Sequence, residues 1–243
     1  MDVRLLWVTE SLFAVGVVFM AACHARRPLD ARARRLDWVK LGVYFVLIHA
    51  LLGAAALGRT VAGALFTLVV AAGIVESLAV RSKLAGFLPA MPAALLALGL
   101  AHALLAPGAL WFPSFAFLVL VVASTDSFAQ LSGRLWGRRR AFSRWSPNKT
   151  IEGVVGGLTA ATVVAMSCGF LTPGIPAHRR ALLAIVTSAA ATAGDLLFSA
   201  VKRRAGIKDF SALLPGHGGV LDRFDSIAVA APAYLWVRTL LSG

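Results

Sequence analysis

Charged residues are scarce in this sequence: they make up 14% of its 243 residues, against roughly 25% in soluble globular domains. Hydrophobic residues make up 59%, and the mean hydropathy is +0.80. This composition excludes a soluble globular protein and predicts a polytopic membrane protein. Acidic residues are the scarcest, with 11 against 24 lysines and arginines, for a net charge of +13. Basic loops of membrane proteins give that balance, and without a soluble domain we expect no nucleic-acid partner.

Cysteine is also rare. Cys23 and Cys168 are the two in the sequence, both in apolar segments and far apart, which excludes a disulfide framework or a zinc site as an organising feature. The N-terminus lacks a basic n-region and a clear cleavage site, so the first apolar segment is expected to be a retained transmembrane helix rather than a signal peptide.

Long apolar runs fill most of the chain, and a spanning helix needs about 20 mostly apolar residues. The predicted fold is an all-α polytopic transmembrane helix bundle of one domain, residues 1–243, with about eight spans and a range of seven to nine. The candidates are 5–23, 38–58, 60–80, 86–106, 109–132, 151–172, 181–201 and 226–242. Residues 1–108 hold spans without a recognisable motif, whereas 109–243 hold the charged spans and loops.

The basic residues predict the orientation. Loops 24–36 and 202–225, the turn around Arg81 and Lys83, and the loop from Arg134 to Lys149 all fall on one side of the predicted topology. The positive-inside rule makes this side cytoplasmic and the N-terminus external. We therefore expect a multi-pass protein of the inner (plasma) membrane.

The few acids lie mostly in the C-terminal half, beside the two long basic loops. Asp126 and Asp195 fall inside predicted spans, where an ionised carboxylate costs at least about 2.5–3.5 kcal/mol. Such residues usually face a water-filled cavity and pair with a cation or a metal. Cations suit polyphosphate and carboxylates suit a divalent metal. We therefore expect a polar cavity facing the cytoplasm, in which nucleotide chemistry takes place.

The first charged constellation runs from Asp126 to Gly157. Residues 146–150, SPNKT, followed by Glu152, are typical of a helix start with a hydroxyl cap and an early acid. Two interpretations stay open. The segment is either a capped helix after a positive-inside loop, or an anion-binding entrance where helix amides and Lys149 meet phosphate.

The second constellation begins at Asp195. On a helix, Asp195, Ser199 and Lys202 share one face at i, i+4 and i+7. The loop that follows adds Lys208, Asp209 and the PGHGG turn before a second group of charges around residue 222. His217, in that turn, is either a ligand-positioning or proton-handling group or a turn-stabilising side chain.

These residues resemble a known family. The motif of the second constellation is similar throughout to the signature of phosphatidate cytidylyltransferases, also called CDP-diacylglycerol synthases: Ser199, Lys202-Arg203, Lys208-Asp209, Ser211, Leu214-Pro215, His217-Gly218-Gly219 and Asp222-Arg223-Phe224-Asp225. Gly194-Asp195-Leu196 and the block from Asp126 to Gly153 also resemble it. The block differs mildly: Gln130 stands where an aromatic is common, and Ile151 replaces a frequent Trp.

The resemblance implies that CTP and phosphatidic acid, at the bilayer, give CDP-diacylglycerol and pyrophosphate. It implies Mg²⁺ held by Asp195 and Asp222, with a second cation also compatible with the site. Asp126, Asp209 and Asp225 are second choices, as ligands or as acids that orient Lys and Arg. The expected substrate-binding residues are Ser146, Lys149, Ser199, Lys202, Arg203, Lys208, His217 and Arg223, with Gly218 and Gly219 allowing close backbone approach. A homodimer is also what the family suggests.

Two other classes compete with this interpretation. A CTP-dependent kinase of a lipid alcohol such as dolichol or phytol would share the first block and release CDP instead of pyrophosphate. A transporter using the acids as an ion relay predicts matching interrupted helices in two halves, whereas here the charges gather in the C-terminal half. The cytidylyltransferase interpretation accounts for both constellations.

Overall fold

The protein is a helix bundle in a computed structural model that describes residues 2–26, 30–85, 88–104, 110–142, 145–214 and 218–242. Within these residues, eight α-helices follow one another: α1 Val3–Arg26, α2 Ala31–Leu57, α3 Arg59–Ala79, α4 Met91–Leu104, α5 Trp111–Trp136, α6 Ile151–Ser167, α7 Ala177–Arg204 and α8 Leu221–Ser242. The expected all-α membrane architecture is confirmed.

Five helices are long and apolar enough to cross a membrane, namely α1, α2, α3, α5 and α7. The apolar helices α4 and α6 are shorter, and α8 carries charges in its first turns and Pro232 in its interior. The predicted count of eight spans therefore stays a prediction. The predicted spans 86–106 and 109–132 lie partly outside the described residues.

Helix α5 forms the centre of the bundle. Every side chain from Ser114 to Val122 is buried, and the helix packs against α1, α6, α7 and α8. Helix α4 packs closely on α8, since a Cβ on Gly99 would lie 2.6 Å from the Ala228 Cα. Small residues thus bring these two helices close together.

A small β-hairpin interrupts the helices between α5 and α6. Strand β1, Arg140–Phe142, pairs antiparallel with β2, Ser146–Thr150. The predicted helix start is confirmed: α6 begins at Ile151 with Glu152 in its first turn, although the residues before it extend as β2. The predicted hydroxyl cap is present one residue before α6: Thr150 Oγ1 accepts a hydrogen bond from the Gly153 N–H at 3.1 Å.

Candidate active site

A polar cavity of about 660 Å³ lies between α5, α7 and α8, with the hairpin at its edge. Its size is within the range of roughly 300–1,000 Å³ typical of ligand sites. The lining includes four carboxylates, those of Asp126, Asp195, Asp222 and Asp225. It also includes the cationic side chains of Arg134, Arg138, Arg140, Lys149, Lys202 and Arg223. The two constellations that the sequence separates therefore meet in one space.

Asp195 joins the hairpin to α7. Its Oδ2 lies 2.6 Å from the Lys149 Nζ, and the Ser199 hydroxyl donates to its Oδ1 at 3.3 Å. Asp195 and Ser199 are one helical turn apart on α7, as the i, i+4 spacing predicts. The pair is half-buried, so water also reaches it.

Asp222 is held more tightly, in the first turn of α8. Its Oδ2 accepts hydrogen bonds from the backbone N–H groups of Phe210 and Gly219, both at 2.8 Å, while its Oδ1 faces the Lys202 Nζ at 2.6 Å. The Asp222 side chain is only 1% exposed. The Asp222 Oδ2 therefore fixes the loop before α8. Among the described residues, the Lys202 ammonium is the one partner of the Oδ1.

Asp126 and Asp225 complete the group of carboxylates. Both line the cavity together with Asp195, and the Asp225 Oδ1 accepts the Ser226 N–H at 2.8 Å. Like charges that share one cavity repel one another, so they need compensating cations. In the described part of the chain, no three His, Cys, Asp or Glu side chains already form a metal cluster.

The loop after α5 supplies positive charge at the edge of the cavity. The Glu152 Oε2 accepts the backbone N–H groups of Arg138 and Arg139, at 3.0 and 3.2 Å, which fixes the loop against the start of α6. Arg138 and Arg140 line the cavity and are otherwise exposed. The arrangement can bind an anion with several charges, such as a polyphosphate.

Other residues expected at the site do not line the cavity themselves, although Ser199 donates to Asp195, which does. They are Ser146, Ser199, Arg203, Lys208 and Asp209. Arg203 is exposed and donates to the Ile207 carbonyl at 3.2 Å. Gly218 and Gly219 allow close approach of carboxylates of this chain: an added Cβ would lie 2.7 Å from the Asp222 Oδ2 at Gly218 and 2.5 Å from the Glu76 Oε1 at Gly219. His217 lies outside the described residues.

Sequence reasoning missed several residues near this site. Arg138 and Arg140 looked like positive-inside loop charges, yet both line the cavity with Tyr44. Glu76, in α3, is buried and accepts hydrogen bonds from the loop before α8. A lone acid near the end of an apolar span was the available signal for Glu76, because such residues are costly in a membrane.

Comparison with known proteins identifies the family of this chain. The model of the Cytidylyltransferase family matches residues 3–241. The chain belongs to the cytidylyltransferase family. Its similarity to that family thus extends over the N-terminal helices as well as over the motif-bearing half.

Three curated relatives in the family are phosphatidate cytidylyltransferases of bacteria. The Haemophilus influenzae protein is 41% identical over 123 residues, 49% of this chain and 43% of that protein. The Staphylococcus saprophyticus protein is 42% identical over 117 residues, 48% of this chain and 45% of that protein. The Bacillus subtilis protein is 39% identical over 127 residues, 52% of this chain and 47% of that protein. The chain therefore spans about half the length of the curated cytidylyltransferases it matches.

Proposed function

We propose that this protein is a phosphatidate cytidylyltransferase, which condenses CTP with phosphatidic acid to give CDP-diacylglycerol and pyrophosphate. The observation that carries the proposal is the convergence of four carboxylates with six Lys and Arg side chains in one cavity of a membrane helix bundle. Membership of the cytidylyltransferase family supports it. The substrates explain the site, because one is a water-soluble polyphosphate and the other is a phosphate anchored in lipid.

The reaction joins two anions. An oxygen of the lipid phosphate attacks the α-phosphorus of CTP, the bond from that phosphorus to the oxygen bridging to the β-phosphate breaks, and pyrophosphate leaves. Positive charge has to screen both anions and stabilise the leaving group. Arg138, Arg140, Lys149 and Arg223 line the cavity and are the residues we assign to this task. No covalent enzyme intermediate is needed, because the lipid phosphate is already an ionised nucleophile.

We assign a Mg²⁺ site to Asp195 and Asp222, the pair expected from the sequence. Magnesium is usually held by one or two protein carboxylates together with substrate phosphates, so a larger protein cluster is not required. Each carboxylate presents one oxygen to a cation, a lysine ammonium at 2.6 Å, and Mg²⁺ would bind that oxygen in place of the ammonium. When bound, the ion would neutralise charge on the triphosphate. Asp126 and Asp225 are the second choices, as ligands or as acids that orient Lys and Arg.

The membrane location also follows from the substrates. We propose that the cavity opens to the cytoplasm, where CTP is present, and that the N-terminus is external, as the positive-inside rule predicts. The acyl chains would stay in the inner (plasma) membrane while the head group enters the cavity. A homodimer remains an expectation from family resemblance.

An assay of purified protein tests the proposal. Protein in phosphatidylcholine nanodiscs receives CTP, phosphatidic acid and Mg²⁺, and pyrophosphate release is followed while each component is omitted in turn. The proposal expects pyrophosphate and a CDP-lipid only when all three are present. Pyrophosphate release that does not depend on phosphatidic acid would contradict it.

A CTP-dependent lipid alcohol kinase is the alternative function. It would transfer the γ-phosphoryl group, so that dolichol or phytol with CTP would give CDP and a lipid phosphate. The same nanodiscs, supplied with such an alcohol in place of phosphatidic acid, discriminate between the two reactions by product analysis.

A further inference from the structure

Glu76 connects the N-terminal half of the chain to the candidate active site. It lies near the end of α3, in a helix whose composition is otherwise strongly apolar. Glu76 is only 5% exposed. A buried carboxylate in such a helix is costly unless it is well hydrogen-bonded, so its partners should identify its purpose.

Three donors satisfy this carboxylate, two from the segment before α8 and one from the first residue of α8. The Ser211 hydroxyl donates to the Glu76 Oε1 at 2.6 Å, and the Val220 N–H donates to the same oxygen at 2.9 Å. The Leu221 N–H donates to the Oε2 at 2.9 Å. Because the first amides of a helix have no partners inside that helix, a carboxylate from α3 here caps the start of α8.

Gly219 gives a second, independent indication of how closely Glu76 approaches this segment. A Cβ added at Gly219 would lie 2.5 Å from the Glu76 Oε1 and 2.6 Å from its Oε2. Real Cβ atoms do not approach other atoms so closely, so any larger residue at position 219 would displace the Glu76 carboxylate from its present place. The glycine of the motif is thus explained by a partner 143 positions earlier (219 minus 76) in the sequence.

The first turns of α8, which follow the amides capped by Glu76, carry three of the charged side chains that line the cavity. Asp222, Arg223 and Asp225 follow directly after the two capped amides and line the cavity. We propose that Glu76 is a positioning residue for the reaction, holding Ser211 and the first amides of α8 so that these side chains stand in place. This inference rests on the proposed function for its activity readout, and it adds a residue of α3 to the site.

Glutamine at position 76 is the sharpest test. It keeps the size of the side chain but has one carbonyl oxygen, so its NH₂ group must face at least one of the three donors and leave it unpaired. A misplacement of about 1 Å can cost about 100-fold in rate. We expect Glu76→Gln in nanodiscs to lower kcat/KM for CTP by about 10- to 100-fold, with a raised KM for CTP because Arg223 is displaced.

The separate effects on KM and kcat distinguish a positioning role of Glu76 from a loss of protein stability. A purely structural defect lowers kcat through the folded fraction and leaves KM unchanged. Glu10→Gln is the matched control, because Glu10 lies in α1, is exposed and pairs with His49 at 3.0 Å. It should have the kinetic constants of the unmodified protein.

Ser211→Ala supplies a milder second variant, should Glu76→Gln fold poorly. It removes one of the three donors and leaves both α8 amides on the carboxylate, so we expect a smaller rise in KM in the same direction. The double variant should be no worse than Glu76→Gln alone, because both changes act on one contact. An unchanged KM in both single variants, in protein that turns over before mutation, would overturn the assignment. Unmodified protein without turnover would instead contradict the proposed function.

Discussion

Replacing Lys202 by methionine removes the ammonium that faces Asp222 and keeps most of the side-chain volume. The two groups lie 2.6 Å apart, with side chains only 10% and 1% exposed. Removing one partner of a buried ion pair costs about 3–5 kcal/mol, because the other charge stays buried without compensation. Two backbone amides remain on the Asp222 Oδ2, so we expect the loss in unfolding free energy to fall near the lower end, at about 3 kcal/mol.

Lys149→Met is the matched comparison for this prediction. Lys149 and Asp195 are also 2.6 Å apart, but their side chains are 22% and 29% exposed. Water can solvate the carboxylate that remains, and exposed pairs contribute about 1 kcal/mol or less. The same chemical change at the same distance should therefore cost about a third as much or less.

Unfolding by sodium dodecyl sulphate in mixed micelles, followed by circular dichroism, measures both variants against the unmodified protein. Equal losses in the two variants would refute the reasoning, because burial would then not decide the strength of these pairs. A larger loss for Lys149→Met would refute it more strongly.

Three further predictions concern the site and its scaffold. Asp195→Asn should lower Mg²⁺-dependent pyrophosphate release by about 100-fold or more while the protein stays folded in the membrane, and near-normal release would remove Asp195 from the metal site. Arg139→Gln should change kcat and KM by less than about twofold, because this exposed side chain stands outside the cavity lining; a large loss of activity would show that the loop has another function. Gly99→Ala should destabilise the protein by about 1–3 kcal/mol, measured by the same unfolding assay, because its Cβ would lie 2.6 Å from backbone atoms of Ala228; unchanged stability would show that α4 and α8 are not tightly packed.

The positions of the helices were largely predictable, because long apolar runs in the sequence mark them. The predicted span 181–201 lies within α7, which covers 177–204, and 60–80 nearly coincides with α3 at 59–79. The start of α8 was not predicted correctly. The last span was expected at 226–242, whereas the helix begins at Leu221. Its first amides are capped by Glu76 from α3, and a contact so distant in sequence leaves no local pattern.

The sequence predicted which residues lie at the candidate site better than it predicted which of them contact one another. Asp195 and Ser199 pair as their helical spacing predicts. Lys202 lines the same cavity as Asp195, as their shared helix face predicts, but its partner there is Asp222 on α8. Local spacing identifies which side chains share a helix face, but tertiary packing decides which opposite charge each one meets. The strands β1 and β2 were missed for a different reason: with three and five residues, they are too short to show a clear alternating pattern.

Following a radioactive phosphate of CTP into the product tests the central claim, cytidylyl transfer to phosphatidic acid, most directly. Purified protein in nanodiscs containing phosphatidic acid and Mg²⁺ is supplied with CTP labelled with ³²P at either the α- or the γ-phosphate, and the lipid fraction is then extracted and counted. The proposed reaction places the α-label in the lipid and leaves the γ-label in soluble pyrophosphate. Lipid that carries the γ-label and lacks the α-label would contradict cytidylyl transfer.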